Sequence, residues 1–437
     1  MLVRLTIPMV FGILSMVLYN LVDTLFVGRL GKDQLAALSF TFPVVLVISS
    51  LALGLGMGAS AAVSRAIGAG DHARVKRLTT DSLLLGLIVV AVTATIGLLT
   101  IDPLFRMLGA GEVTLPYIRD YMTIWYPGMV FVVFPMIGNN CIRATGDTRT
   151  PGIVMMIGAG ANAALDPLLI FGLGPFPALG IQGAAAATLI GRSITFAVAV
   201  SVLAFRERMI DLRPDRFVNV LASWKQVLYV GIPTAATRMI VPVGAGIVTR
   251  IVSEYGPEAV AGYGVATRLE FFSLAIVNAL ATVVGPFVGQ NLGAGRYDRV
   301  REGFTTGERL SAVVGVGFFL IFLALARPIA SIFTPAAEVI DVTTLYVRIV
   351  SASYALQGIY RISVPTLNVL RRPMHAAGLG VAEMFGLVVP LGLLGSRLFG
   401  IPGVFVAVAL AYAVTGLLAS FVVRRTIARA AATRTAS

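Results

Sequence analysis

The chain has 437 residues, 57% hydrophobic and 13% charged, against roughly 45–50% and about 25% in soluble domains. One cysteine, Cys141, excludes an intrachain disulfide. The net charge of +13 suggests nucleic acid at first sight. The basic residues, however, gather in alternate breaks between apolar runs, which is the positive-inside pattern of a membrane protein and not a basic face.

Runs near the roughly 20 residues that cross a bilayer fall at 5–28, 35–64, 79–101, 117–142, 150–173 and 179–205. A second set falls at 226–252, 259–290, 310–326, 343–370, 374–396 and 401–423. The short alternating segments of a membrane barrel are absent. The pattern predicts an all-α polytopic membrane protein of about twelve transmembrane helices in two six-helix lobes related by an internal repeat. Residues 1–205 form the expected N-lobe, 206–225 a cytoplasmic linker, 226–423 the C-lobe and 424–437 a basic cytoplasmic tail. The charge bias puts both termini in the cytoplasm. Arg4 and the long apolar run after it read as a first span, not a cleaved leader.

The repeat has an offset of 225 residues. Pro8 falls on Pro233, Gly31 on Gly256, Gly68-Ala69-Gly70 on Gly293-Ala294-Gly295, and Arg74-Val75 on Arg299-Val300. Six spans separate the copies, so both lobes enter the membrane in the same direction, about an axis along its normal. The Gly-Ala-Gly segments lack the strand-and-helix setting of a phosphate loop and read as turns.

Chemistry concentrates in the first lobe. Asp23 lies inside span one (NLVDTLFVG) and Asp166 inside span five (NAALDPLLIFG). A charge inside the bilayer is costly, and such residues face a partner or a cavity. At 1.5 Å per residue the two acids lie at about the same depth. Asn20 shares a helix face with Asp23, and Asn162 one with Asp166. Thr188 on span six and Tyr121 on span four reach a similar level. These oxygens suit a hard cation, a protonatable carboxyl pair, or a structural hydrogen-bond network. The second lobe has Val248 where the repeat places Asp23. It carries Arg238, Arg268, Glu270, Arg361 and Glu383 instead. These read as buried pairs, such as Glu270 with Arg238 or Arg361, or as a cationic patch in a cavity for an anionic substrate. His72 and His375 lie in loops, and no catalytic or metal-ligand motif appears, which argues against an enzyme.

PMVFGILSMVLYNLVDTLFVGRLGKDQLAALSF, GLGMGASAAVSRAIGAGD, CIRATGDTRTP, NAALDPLLIFG and PFVGQNLGAGR together resemble multidrug and toxic-compound extrusion (MATE) transporters over nearly the whole chain. The resemblance implies alternating access and export of small amphipathic organic compounds in exchange for H⁺ or Na⁺, with no cofactor. It points to the prokaryotic branch related to DNA-damage-inducible (DinF-like) transporters. There the coupling site matches Asp23, Asn162, Asp166 and Thr188, which are also the candidate Na⁺ ligands, with Tyr121 a looser match. Pro8 matches the hinge at which helix one bends. Arg238, Arg361 and Glu270 are candidates for the substrate cavity. The implied setting is the inner (plasma) membrane, with a lipid bilayer as partner, no nucleic acid and a monomer sufficient. The alternatives are a lipid-linked precursor flippase of the same superfamily and, further off, a passive channel.

Overall fold

Proline, glycine and short polar breaks divide the apolar sequence into helices. The computed structural model describes residues 2–28, 30, 32–173, 177–211 and 219–435. In chain order these are α1 (Leu2–Gly28), α2 (Lys32–Gly68), α3 (His72–Leu99), α4 (Ile101–Met107), α5 (Leu115–Gly128), α6 (Val130–Ala144), α7 (Arg149–Phe171) and α8 (Ile181–Ser201). Then come α9 (Val220–Ser253), α10 (Pro257–Gly293), α11 (Tyr297–Ser331), α12 (Ala337–Val350), α13 (Tyr354–Val369), α14 (Pro373–Val381) and α15 (Val389–Thr435). π-helical turns at Val202–Arg206 and Ala382–Val388 extend α8 and join α14 to α15. No strand occurs among the described residues.

Among the described residues, nine helical runs are long and apolar enough to cross a membrane, and the α5–α6 pair, bent by 43°, makes a tenth. Pro127 and Gly128 stand at that bend, where a missing amide hydrogen bond permits a kink. α1 is 27 residues long. The run Pro373–Ala432 is broken at Gly400, with φ 65°. Beyond it the backbone of Gly403 lies against that of Gly395, although eight residues of straight helix would put them about 12 Å apart. The chain therefore turns back there, and with α1 counted as a span the spanning helices among the described residues number twelve. Val92, Ile96 and Leu99 on α3 and Leu320, Leu323 and Leu325 on α11 are exposed, an apolar surface suited to lipid.

The helix ends repeat with the sequence. α1 ends at Gly28 and α9 at Ser253, α2 begins at Lys32 and α10 at Pro257, and α3 begins at His72 and α11 at Tyr297. The Gly-Ala-Gly segments are turns, with Gly70 at φ 74° and Gly295 at φ 71°, a left-handed backbone that glycine adopts without a Cβ penalty.

The chain divides into two compact units: Ile7–Ile67 with Asp71–Ile232, and Pro233–Ser437 with Met1–Thr6 and Gly68–Gly70. The first is built on a core including Phe105, Ile118, Met122, Ile137 and Cys141. The second has Val252, Ala266, Phe322, Val347 and Phe405 at its core.

Two limits differ from those expected. α9 begins at Val220, inside the stretch read as linker, because Trp224 Nε1 donates to the Asp81 carbonyl at 2.9 Å and fastens its start to α3. Residues 212–218 of that linker lie outside the described residues. The basic tail continues α15 as far as Thr435. Arg424 there reaches the buried Glu308 of α11 at 2.6 Å, and basic side chains suit a helix C-terminus.

Candidate functional site

α7 and α8 pack through glycines. A Cβ at Gly158 would come within 2.5 Å of Thr195 Cγ2, and one at Gly191 within 3.3 Å of both Asn162 Cβ and the Gly158 carbonyl. The helices approach so closely that short side chains bridge them. Asn162 and Asp166 stand one turn apart on the same face of α7, and Thr188 meets them from α8. Asn162 Nδ2 donates to Asp166 Oδ2 at 2.9 Å, and its Oδ1 accepts from Thr188 N at 3.0 Å and Thr188 Oγ1 at 3.3 Å. The opposite amide orientation would set oxygen against the carboxylate, so the network fixes this one. All three residues are buried, Asp166 with 0% exposure.

A carboxylate in such a place keeps its charge only with a cation or strong donors beside it, and otherwise takes up a proton. The carboxylate, amide oxygen and hydroxyl form a hard donor set that serves either a proton or a small cation.

The other residues expected here are placed as follows. Asn20 and Asp23 belong to α1, and their side chains lie outside the described residues. α1 crosses α7 at close range, since a Cβ on Gly152 would stand 2.5 Å from the Pro8 carbonyl oxygen. α1 passes Pro8 as one uninterrupted helix. Tyr121 is buried on α5 within the first core. Arg192 went unremarked in the sequence. It sits one turn beyond Thr188 on the same face of α8, and lines a small recess with Thr188, Trp125 and Gly128. Its position inside a span was the available signal, because an intramembrane ionisable group is itself a site hypothesis.

The second unit corrects one expectation. Glu270 on α10 pairs with neither Arg238 nor Arg361. It accepts from Tyr346 Oη at 2.6 Å and Tyr412 Oη at 2.9 Å. Two hydroxyls satisfy the carboxylate without taking a second charge out of water, which is where a buried ion pair loses its advantage. Glu383, in the π-helical turn, accepts from Gln357 Nε2 at 3.4 Å. Arg361 Nη1 donates to Asn278 Oδ1 at 3.0 Å. Among the described residues neither Arg238 nor Arg361 belongs to an ion pair. Arg268 is exposed on α10.

The MatE family profile matches residues 8–168 and again 233–394, two segments set apart by the offset of the repeat. The chain belongs to the MATE family. This MATE transporter is 35% identical over 424 residues to the FAD transporter of Shewanella oneidensis, covering 97% of this chain and 94% of that protein. It is 25% identical to the multidrug export protein MepA of Staphylococcus haemolyticus, covering 96% and 91%. The Vibrio cholerae MATE transporter VcmN in its bent form superposes with a TM-score of 0.93 at 29% identity, covering 98% of this chain and 97% of that one. The protein is thus a multi-pass membrane transporter and not an enzyme.

Proposed function

We propose that this protein is a secondary active efflux antiporter of the inner (plasma) membrane, exporting small amphipathic organic compounds in exchange for H⁺ or Na⁺ by alternating access. The observation that carries the reading is Asp166, fully buried inside a spanning helix and hydrogen-bonded to Asn162. An acid so placed changes its charge state only by gaining or losing a proton or a cation. Asp23, Asn20, Asn162, Thr188 and Tyr121 complete the coupling site, and Pro8 gives α1 its hinge. Ion and substrate each favour a different conformation, and that difference in affinity couples their movements. Both termini are cytoplasmic and one chain suffices. The relatives' names, a multidrug export protein and a FAD transporter, set the range of cargo. FAD belongs among the candidates.

The test is transport in proteoliposomes, with a fluorescent cationic dye and FAD as alternative substrates and an imposed pH or Na⁺ gradient. Uphill movement of either under one gradient supports antiport and names the ion. Movement only down the substrate's own gradient rejects it.

A further inference from the structure

Arg238 stands roughly midway along α9, and Arg361 lies inside the span formed by α12 and α13. A guanidinium at such depth is retained against a large desolvation cost and marks a site by default. Asn368 Nδ2 donates to Thr234 Oγ1 at 3.2 Å and sets α13 beside α9. Arg238 follows Thr234 by one turn, about 6 Å, and Arg361 precedes Asn368 by about two turns, about 10 Å. The two arginines are thus brought to neighbouring levels on adjacent helices, close enough for their charges to act on one another.

Among the described residues neither arginine is in an ion pair, although Glu270 and Glu383 also lie near enough for their charges to act on Arg361. Arg361 spends Nη1 on the neutral Asn278, while its buried Nε has no hydrogen-bond partner. A buried donor left unmade costs about 1–3 kcal/mol, a defect that a ligand oxygen would remove. The nearby acids make their hydrogen bonds to neutral groups, with Glu383 Oε2 left without a hydrogen-bond partner. Glu270 is held by Tyr346 and Tyr412, and Glu383 by Gln357. Arginine's planar fork matches the oxygens of a phosphate in two-point contact. A single carboxylate would neutralise only one of the two guanidinium groups. A phosphate monoester or diphosphate carries about two charges and answers both.

We propose that Arg238 and Arg361 form an oxyanion-binding site in the C-terminal unit that takes the phosphate of an organic phosphoanion cargo. The proposal rests on the reading of the chain as an exporter, but it concerns recognition and not energy coupling.

The test is equilibrium binding to the purified full chain in detergent. Flavin fluorescence would be titrated for riboflavin and for riboflavin 5′-phosphate, which share a ring and differ in the phosphate. Inorganic pyrophosphate would serve as competitor. The phosphorylated flavin should bind about ten- to hundredfold tighter than riboflavin, and pyrophosphate should displace it. Arg361→Gln and Arg238→Gln should each erase that preference, and Arg361→Lys should restore part of it. Thermal melts and gel filtration would confirm that each variant is folded. Equal affinity for the two flavins, no binding of the phosphorylated flavin or pyrophosphate, or an undiminished preference in both folded glutamine variants would overturn the proposal. Asp166→Asn separates this result from the antiport reading. A retained phosphate preference with lost uphill transport supports both. A retained preference with intact uphill transport leaves the oxyanion site standing and removes the coupling role.

Discussion

Asn162 Nδ2 donates to Asp166 Oδ2 at 2.9 Å across one turn of α7, while its oxygen turns to Thr188 on α8. One amide thus ties the buried acid to a second helix, and any ion that binds Asp166 changes a bond that Asn162 makes.

That arrangement gives Asn162→Ala a diagnostic sign. Under H⁺ coupling, loss of the donor removes support from the carboxylate, so the half-saturating proton concentration falls. Under Na⁺ coupling, loss of the amide oxygen removes a ligand, so the half-saturating Na⁺ concentration rises. A change of about tenfold is expected for one charge-assisted hydrogen bond. Transport rate against pH and against Na⁺ checks it.

The α7–α8 contact should tolerate no bulk. Gly191→Val places methyl groups where Asn162 Cβ and the Gly158 carbonyl already stand within 3.4 Å of the new Cβ. Overpacking of this kind costs about 1–3 kcal/mol, and uphill transport should fall with stability. Gly160→Ala on α7 is the control, because nothing lies within 4 Å of its added Cβ. Thermal melts should show Gly160→Ala equal to or above the wild type and Gly191→Val below it.

What the sequence could show depended on range. The spans follow from apolar length, and the repeat from a fixed offset that the helix ends obey at Gly28 and Ser253. Asn162 and Asp166 were readable as a pair because four residues is one helical turn. Their meeting with Thr188 depends on a glycine contact between helices that only the tertiary structure displays. Glu270 misled for the same reason. Charge alone suggested Arg238 or Arg361 as its partner, while the hydroxyls that hold it come from Tyr346 and Tyr412, on different helices and far along the chain. Tyrosines inside a span resemble ordinary apolar residues until they are seen around a carboxylate. Arg192, by contrast, was legible and was missed.

The Glu270 cluster should be stabilising. Tyr346→Phe leaves a buried carboxylate with one hydroxyl donor fewer, at a cost of about 1–3 kcal/mol. Tyr412→Phe should act similarly. The double variant should fall below either alone. A melting series in detergent checks the order Tyr346→Phe and Tyr412→Phe above the double variant.

The start of α7 is latched to the end of α8. Thr150 N donates to Asp147 Oδ1 at 3.0 Å and Arg206 Nη2 to Asp147 Oδ2 at 2.7 Å. Burial pushes the Asp147 carboxyl up, but the hydrogen bonds from Thr150 and the Arg206 charge outweigh it and hold the group below its ordinary value. The folded value lies below the unfolded one of about 3.9. The latch therefore contributes fully above that value and is lost as pH falls through the depressed folded value. Hydrogen exchange in 147–150 and 202–207 should be flat from about pH 5 to 8 once corrected for intrinsic rates, and Asp147→Asn should accelerate it throughout that range.

The central claim is that Asp166 carries the coupling ion, and paired transport assays on Asp166→Asn test it most directly. Wild-type and variant protein would be reconstituted together and assayed for gradient-driven accumulation and for substrate counterflow without a gradient. The account expects the variant to keep counterflow and to lose accumulation under both pH and Na⁺ gradients. Accumulation by Asp166→Asn as steep as that of the wild type would contradict it.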